Sequence, residues 1–374
     1  MNIDVRMIES NETAEIFITA TPTINLSIKE QVEEVFYNIR NVLKETKESI
    51  FEERIFSTED VIQTITLIRK NIYADLDDGI DPTCLIVSKG MYGKFSGVQV
   101  HGVYNRKKPI ILYSGGNACG RVISQGNKKY ISILGISGIE AGKEPTKQAQ
   151  MMFEKAEYLL QQTGGNMFSI VRTWIWLKDI LQWYKDFNNV RTRFYEERGL
   201  IKGTTGLHIP TSTGIGIAPA KGAKCALDLF AVVSAEDSIK FFNESGEQSS
   251  PFVYGSAFSR AAKSMSPAGE TIFVSGTAAV DHRGKTEYVG DVESQIKSTF
   301  SHIHAVLRDM NCKEQDIVQM IVYSKTPEVE KVFNIMYSDL SLPYLSVICD
   351  ICRSELLFEI EVTACLGAQK YYKT

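Results

Sequence analysis

The sequence predicts an α+β chain made of three copies of one unit, and three observations predict it. A helical stripe recurs: Gln31, Phe36, Ile39 and Leu43 have the types and spacing of Gln295, Phe300, Ile303 and Leu307, and Gln148, Phe153, Ala156 and Leu160 form a weakened version. The last three residues of each set stand at i, i+3 and i+7, the buried stripe of a helix. An apolar strand precedes each stripe, EIFITATPTI (15–24), YISILGISGI (130–139) and TIFVSGTAAV (271–280). A second apolar run follows each, DVIQTITLI (60–68, which reads equally well as helix), SIVRTWIWLK (169–178) and DIVQMIVYSK (316–325). Units of about 110–120 residues are of ordinary domain size, and a repeat of that period organises the whole chain. Three such sheets can bury their open faces against one another, so the expected architecture is a pseudo-threefold barrel with helices outside.

Taken in order, residues 1–112 form the first and least distinctive unit, 113–233 the second and 251–374 the third, with the polar segment 234–250 as linker. Each unit closes in a β pair: PTCLIVSKGMYGKFSGVQVHGV (82–103), a Gly-rich stretch running to ALDLFAVV (226–233), and PYLSVICDICRSELLFEIEVTA (343–364). Residues 104–129, with Gly115-Gly116, read as a loop-rich insertion. Asp179 is placed to N-cap the second helix of the middle unit, Gly199 to stop it, and Thr326-Pro327 to start its counterpart.

Composition excludes several classes. Apolar residues make up 44% and charged residues 23%, as in ordinary globular proteins. A net charge of −4 leaves no electrostatic footprint for nucleic acid. The charged N-terminus has no signal-peptide core, and no run of about 18 apolar residues occurs, so a soluble cytoplasmic protein is expected. Seven scattered cysteines make no disulfide framework. Cys349 and Cys352 form a lone C-x-x-C without the second pair or histidine of a metal site, and His302 and His304, two apart on a helix, face different ways. Gly214-Ile215-Gly216 lacks the flanks of a dinucleotide fingerprint. No metal and no cofactor is expected.

Differences between the copies single out residues. In the closing strand Phe358, Ile360 and Val362 share one face, Glu359 and Glu361 the other. Aligned by sequence, Gln99 and Asp228 stand at the position of Glu359, and His101 and Phe230 at that of Glu361; only the third copy keeps both acids. Glu359 thus reads as the acid of a site, with Cys352 upstream on the facing strand. Arg172 shares a strand face with Trp174 and Trp176, and is either a cation–π partner or an anion anchor. The next helix carries Arg191, Arg193 and Arg198. Tyr254, Ser256 and Arg260 lie in a donor-rich loop with Gly255, which permits close backbone approach.

The FVSGT strand and the closing LFEIEVTA resemble the YjgF or reactive-intermediate deaminase (YjgF/RidA-like, chorismate-mutase-like) superfamily, whose sites lie between units. VRTWIWL, WYKDFNNVRTRF, TSTGIG, VYGSAFSRA and the C-x6-E of Cys352 and Glu359 together resemble the chorismatases, which remove pyruvate from chorismate. The likeness runs from Tyr130 to Ala364. It implies that Glu359 is the catalytic acid, with Cys352 at a position that sets the product. It also implies a dianionic small-molecule substrate, chorismate, for which Arg172, Arg191 and Arg260 are the candidate anchors and Tyr254 and Ser256 neutral donors. In the family a cysteine at Cys352 goes with 3-hydroxybenzoate and alanine with hydrolysis to a dihydroxycyclohexadiene acid, products of secondary metabolism. Ala261, where a small residue also matters, is not glycine, and points the other way. Two rivals remain: an imine deaminase, whose upstream arginine is replaced here by Ser346, and a non-enzymatic ligand-binding protein on the same scaffold. A pseudo-trimer within one chain removes the usual need for a homotrimer, so a monomer is expected.

Overall fold

The glutamine that opens each helical stripe does one job three times. In the computed structural model, which describes residues 2–202, 205, 206 (backbone only for these two), 208–235 and 238–371, Gln31 Nε2 donates to the carbonyl of Thr23 at 3.1 Å. Gln148 Nε2 donates to Gly142 O, and Gln295 Nε2 to Tyr288 O at 3.3 Å. Each amide thus ties a helix to the loop that delivers it. The helices Ile28–Thr46, Pro145–Gln162 and Val292–Asp309 bury the predicted stripes, with Phe36, Ile39, Leu43, Phe153, Ala156, Leu160, Phe300, Ile303 and Leu307 all nearly inaccessible to solvent. Burying each Phe, Ile or Leu contributes about 1.5–3 kcal/mol.

Three mixed sheets share one strand path. In the third sheet it runs Ala261–Met265, Glu270–Ala278, Phe358–Cys365, Ile317–Ser324, Tyr344–Ile348. The second sheet follows it with Asn117–Gln125, Lys128–Ser137, Cys225–Val233, Ile170–Leu177 and Thr211–Ile215, and the first with Asn2–Glu9, Ala14–Thr21, Phe95–Tyr104, Ser49–Ser57 and Thr83–Ile86. The last two strands of each path are parallel and are joined through the helices Ile62–Tyr73, Ile180–Glu197 and Pro327–Met336, as a parallel crossover requires. Thr326 caps the last of these, with Pro327 in its first turn. Asp179 does not cap its helix: it lies in the left-handed region at φ 56° and its carboxylate meets Lys224 instead.

The structure departs from the sequence reading in three further places and decides one that the sequence left open. The inner faces pack on a common core that includes Phe56, Trp174, Trp176, Phe230, Phe273, Tyr323 and Leu345, but the sheets do not hydrogen-bond into one closed barrel. Between them run isolated bridges such as Ser88–Ile348 and Gly216–Asp350. In the first unit residues 60–68 enter the helix Ile62–Tyr73, and the strand is SIFEERIFS, Ser49–Ser57. Its three charges hid it, because Glu52, Glu53 and Arg54 are buried and paired within the protein. The insertion 104–129 holds the strands Ile110–Ser114 and Asn117–Gln125, which extend the second sheet. Residues 239–242 of the 234–250 segment pair with Ala261–Met265 and so belong to the third sheet. No helix among the described residues is long and apolar enough to cross a membrane.

Candidate active site

Cross-strand pairing fixes the true alignment of the copies. Glu359 pairs with Tyr323 and Glu361 with Ile321; in the second unit Ala226 pairs with Trp176 and Asp228 with Trp174, and in the first Gly97 pairs with Phe56 and Gln99 with Arg54. With Arg172 and Gln319 equivalent, Ala226 and Gly97 occupy the position of Glu359, while Asp228 and Gln99 occupy that of Glu361. The alignment by sequence is therefore two residues out. Such a slip keeps every side chain on its own face, so alternation cannot detect it. The correction isolates Glu359 further, since no other unit has a polar side chain there.

Glu359 faces a cavity of about 720 Å³ between the second and third units. One wall is the helix Ile180–Glu197, with Tyr184, Asn188 and Asn189; the other is formed by Tyr254, Ser256, Phe258, Arg260, Cys352 and Arg353, with Gly276 and Ala278 beside the carboxyl. Burial, then the neighbouring Glu361 charge, push the Glu359 carboxyl up to about 8, against the pull of Arg172, Arg260 and Arg353. It is therefore a carboxylic acid at neutral pH. The carboxyl rests on Gly276, where an added Cβ would lie 2.1 Å from Glu359 Oε1. Gly276 sits in an irregularity between the Val274 and Thr277 pairings, and its N–H donates to Thr213 Oγ1 at 3.0 Å.

Two guanidiniums that line the cavity and a third behind its wall have no carboxylate partner among the described residues. Arg260, 3% exposed, donates to Ser249 O at 3.1 Å and to the Tyr254 hydroxyl. Arg353 donates to Gly284 O at 2.7 Å. Arg191, 1% exposed, lies behind the wall, donates to Asn188 Oδ1 at 2.6 Å and leaves its Nε unpaired. Arg191 and Arg260 approach the same Phe258 ring, each with Cζ 5.8 Å from its centroid. Buried charges are costly unless paired, so the cavity is built to receive negative charge. Tyr184, hydrogen-bonded to Ser256, is held up to about 12 mainly by burial. The Cys352 thiol is likewise raised to about 12 by burial and by Glu359, and stays neutral rather than a thiolate.

Of the residues chosen from sequence, Glu359, Cys352, Tyr254, Ser256 and Arg260 line the cavity and Arg191 backs it. Two do not line it. Arg172 is sealed in the core, where it donates to Glu361 Oε2 at 2.9 Å and to Thr213, so it anchors a protein carboxylate. Ala261 is fully buried at the start of its strand, paired with Val274. Sequence reading passed over Arg353, Tyr184 and Gly276. Arg353 adjoins Cys352, and Gly276 is the glycine of FVSGT, so both had a signal; the inward turn of Tyr184 had none. No group of His, Cys, Asp or Glu that could hold a metal ion occurs among the described residues.

Residues 254–366 match the family described as Endoribonuclease L-PSP. No curated protein matches the sequence. Among solved structures, a crystal structure of a chorismatase superposes on 98% of this chain and 100% of its own, with TM-score 0.62 and 18% identity. The chain thus shares the chorismatase fold over its whole length. Shorter chains match about a third of this one: a Rid-family protein from Yersinia pestis of unknown function (19% identity, 34% of this chain, 100% of that one, TM-score 0.29) and a putative endoribonuclease from Thermotoga maritima (20%, 34%, 97%, 0.28).

Proposed function

We propose that the chain is a chorismatase, removing pyruvate from chorismate, and that Glu359 is its general acid. The observation that carries this is a buried carboxyl facing a cavity that is lined by Arg260 and Arg353 and backed by Arg191, none of which has a carboxylate of its own among the described residues. Chorismate is a dianion with an enol ether, and its two carboxylates suit Arg260, Arg353 and Arg191. Glu359 gives its proton to the terminal methylene carbon, which becomes a methyl group, and the adjacent carbon becomes an oxocarbenium ion. Capture by water releases pyruvate and a dihydroxycyclohexadiene acid. Capture by the ring hydroxyl, followed by elimination and aromatisation, gives pyruvate and 3-hydroxybenzoate with no net water. General acid catalysis of this kind contributes roughly 10²–10⁴-fold.

The product favoured is 3-hydroxybenzoate, because Cys352 lines the cavity and Ala261 does not. The chain is proposed to act as a monomer in the cytoplasm, since its own second and third units supply both walls. The test is incubation with chorismate and an assay for pyruvate. Pyruvate formation that Glu359→Gln abolishes is the expected result. Absence of pyruvate, or ammonia release from an amino-acid-derived imine, overturns the reading.

A further inference from the structure

Glu359 and Glu361 stand on one strand face, ~7 Å apart along the chain, yet their surroundings are opposite. Glu361 Oε1 accepts the Trp174 indole N–H at 2.8 Å, and Oε2 accepts from Arg172 at 2.9 Å. The Arg172 and Glu361 side chains are 2% and 6% exposed, and Arg172 is held in turn by Thr213, which also receives the Gly276 N–H. No hydrogen bond to Glu359 is made among the described residues. Two carboxylates placed so closely cannot both ionise cheaply, and the one that owns the cation and the donors takes the charge.

We infer that Glu361 is a positioning residue of this site: its carboxylate, pinned by Arg172 and Trp174, is the fixed negative charge that keeps the Glu359 carboxyl protonated and able to donate. This rests on the reading of Glu359 as the acid. The other groups facing Glu359 are Tyr323 from the neighbouring strand, Arg172 from the second sheet, Tyr184 from the cavity helix, Tyr254 and Arg260 from the loop, and Cys349, Cys352 and Arg353 from the segment before the closing strand. The cations among them draw the proton off; burial and Glu361 hold it on. Neutralising Glu361 hands the balance to the cations.

The test is E361Q, read by titrating the ¹³C-labelled Glu359 carboxyl in unliganded protein, assigned with E359Q, and by the pH profile of kcat/KM. The Glu359 midpoint is expected to fall by about one to two pH units, the effect of a unit charge ~7 Å away at an effective dielectric near 20. The alkaline limb of kcat/KM should move to lower pH with it. An unmoved midpoint, with activity lowered equally at all pH, would show that Glu361 only braces Arg172. If E361Q does not fold, R172M/E361Q leaves no buried unpaired charge. Its midpoint should stay within about half a unit of wild type if the two charges offset, whereas a rise of about one unit or more overturns the inference. Because the titration needs no substrate, failure to consume chorismate would sink the proposed function without deciding this one.

Discussion

The interface between the second and third units and the interface between the first and second are built on the same parts, and only one of them looks like an active site. Glu359, Gly276 and Thr213 in the one correspond by strand register to Ala226, Gly135 and Thr83 in the other. The second interface still encloses a cavity of about 270 Å³, lined by those three residues, but its rim cations Lys155 and Lys221 are already paired with Glu140 and Asp81. Asp228, the counterpart of Glu361, is spent on structure: it accepts from Arg54, Thr83 and the Gly135 N–H. Between the third and first units the counterpart is Gly97, where a Cβ would meet Ala20 O at 2.5 Å and Leu345 Cδ1 at 2.8 Å, so even the space is gone. The scaffold supplies a cleft at both interfaces; only one of them sets a buried acid beside guanidiniums that have no carboxylate partner among the described residues.

The largest expected effect separates the two interfaces outright. Glu359→Gln should lower kcat by about 10²-fold or more with little change in KM, while Ala226→Glu should create no second activity because both cations among the described residues lining that cavity, Lys155 and Lys221, are already paired. Steady-state pyruvate release measures both. Next comes a matched pair of glycines. Gly276→Ala drives a methyl into the Glu359 carboxyl and should cost activity nearly as much as losing the acid, with kcat falling more than KM rises. Gly135→Ala meets nothing closer than Thr83 Oγ1 at 3.8 Å but sits at φ 62°, so it should cost about 1–2 kcal/mol of stability and leave catalysis alone.

The arginines sharpen the contrast between binding and bracing. Arg260→Ala should raise KM at least about tenfold, the loss of one charge-assisted anchor of about 1.5–3 kcal/mol. Arg172→Ala should instead destabilise the fold by about 3–5 kcal/mol, because it leaves Glu361 buried and unpaired; denaturant unfolding separates the two. A smaller effect is pH-dependent. Glu359 keeps its proton in the folded state up to about pH 8, against 4.5 for an ordinary glutamate, so the folded state binds more protons than the unfolded one in that window. Stability should therefore fall as pH rises from about 4.5 to 8, by a few kcal/mol at most, and Glu48, raised to about 8 mainly by burial, adds to the trend. Glu359→Gln should be the more stable protein at pH 8. Last, Cys352→Ala should change the product ratio more than the rate, read by chromatography; an unchanged ratio leaves the thiol without a role.

Much of this was legible in the chain. Periodicity exposed the three helices, because Phe, Ile and Leu at i, i+3 and i+7 have one physical use. The contrast among copies exposed Glu359, and the local cluster Tyr254, Ser256 and Arg260 could be read because loop neighbours stay neighbours. What sequence could not supply were relations across hundreds of residues. The strand SIFEERIFS carries three charges in a row, and its burial depends on the partners Arg69 and Asp228, which come from elsewhere. Arg172 reads from sequence as either a cation–π partner or an anion anchor; in the fold its guanidinium lies 4.9 Å from the Trp174 ring and is held by Glu361, 189 positions away. The sequence by itself determined the repeat, its helices and the singular acid, because these follow from local periodicity and residue type. Only the tertiary structure decided which arginines are free and which carboxyl keeps its proton, because charge state and pairing depend on burial and on distances that the order of residues does not contain.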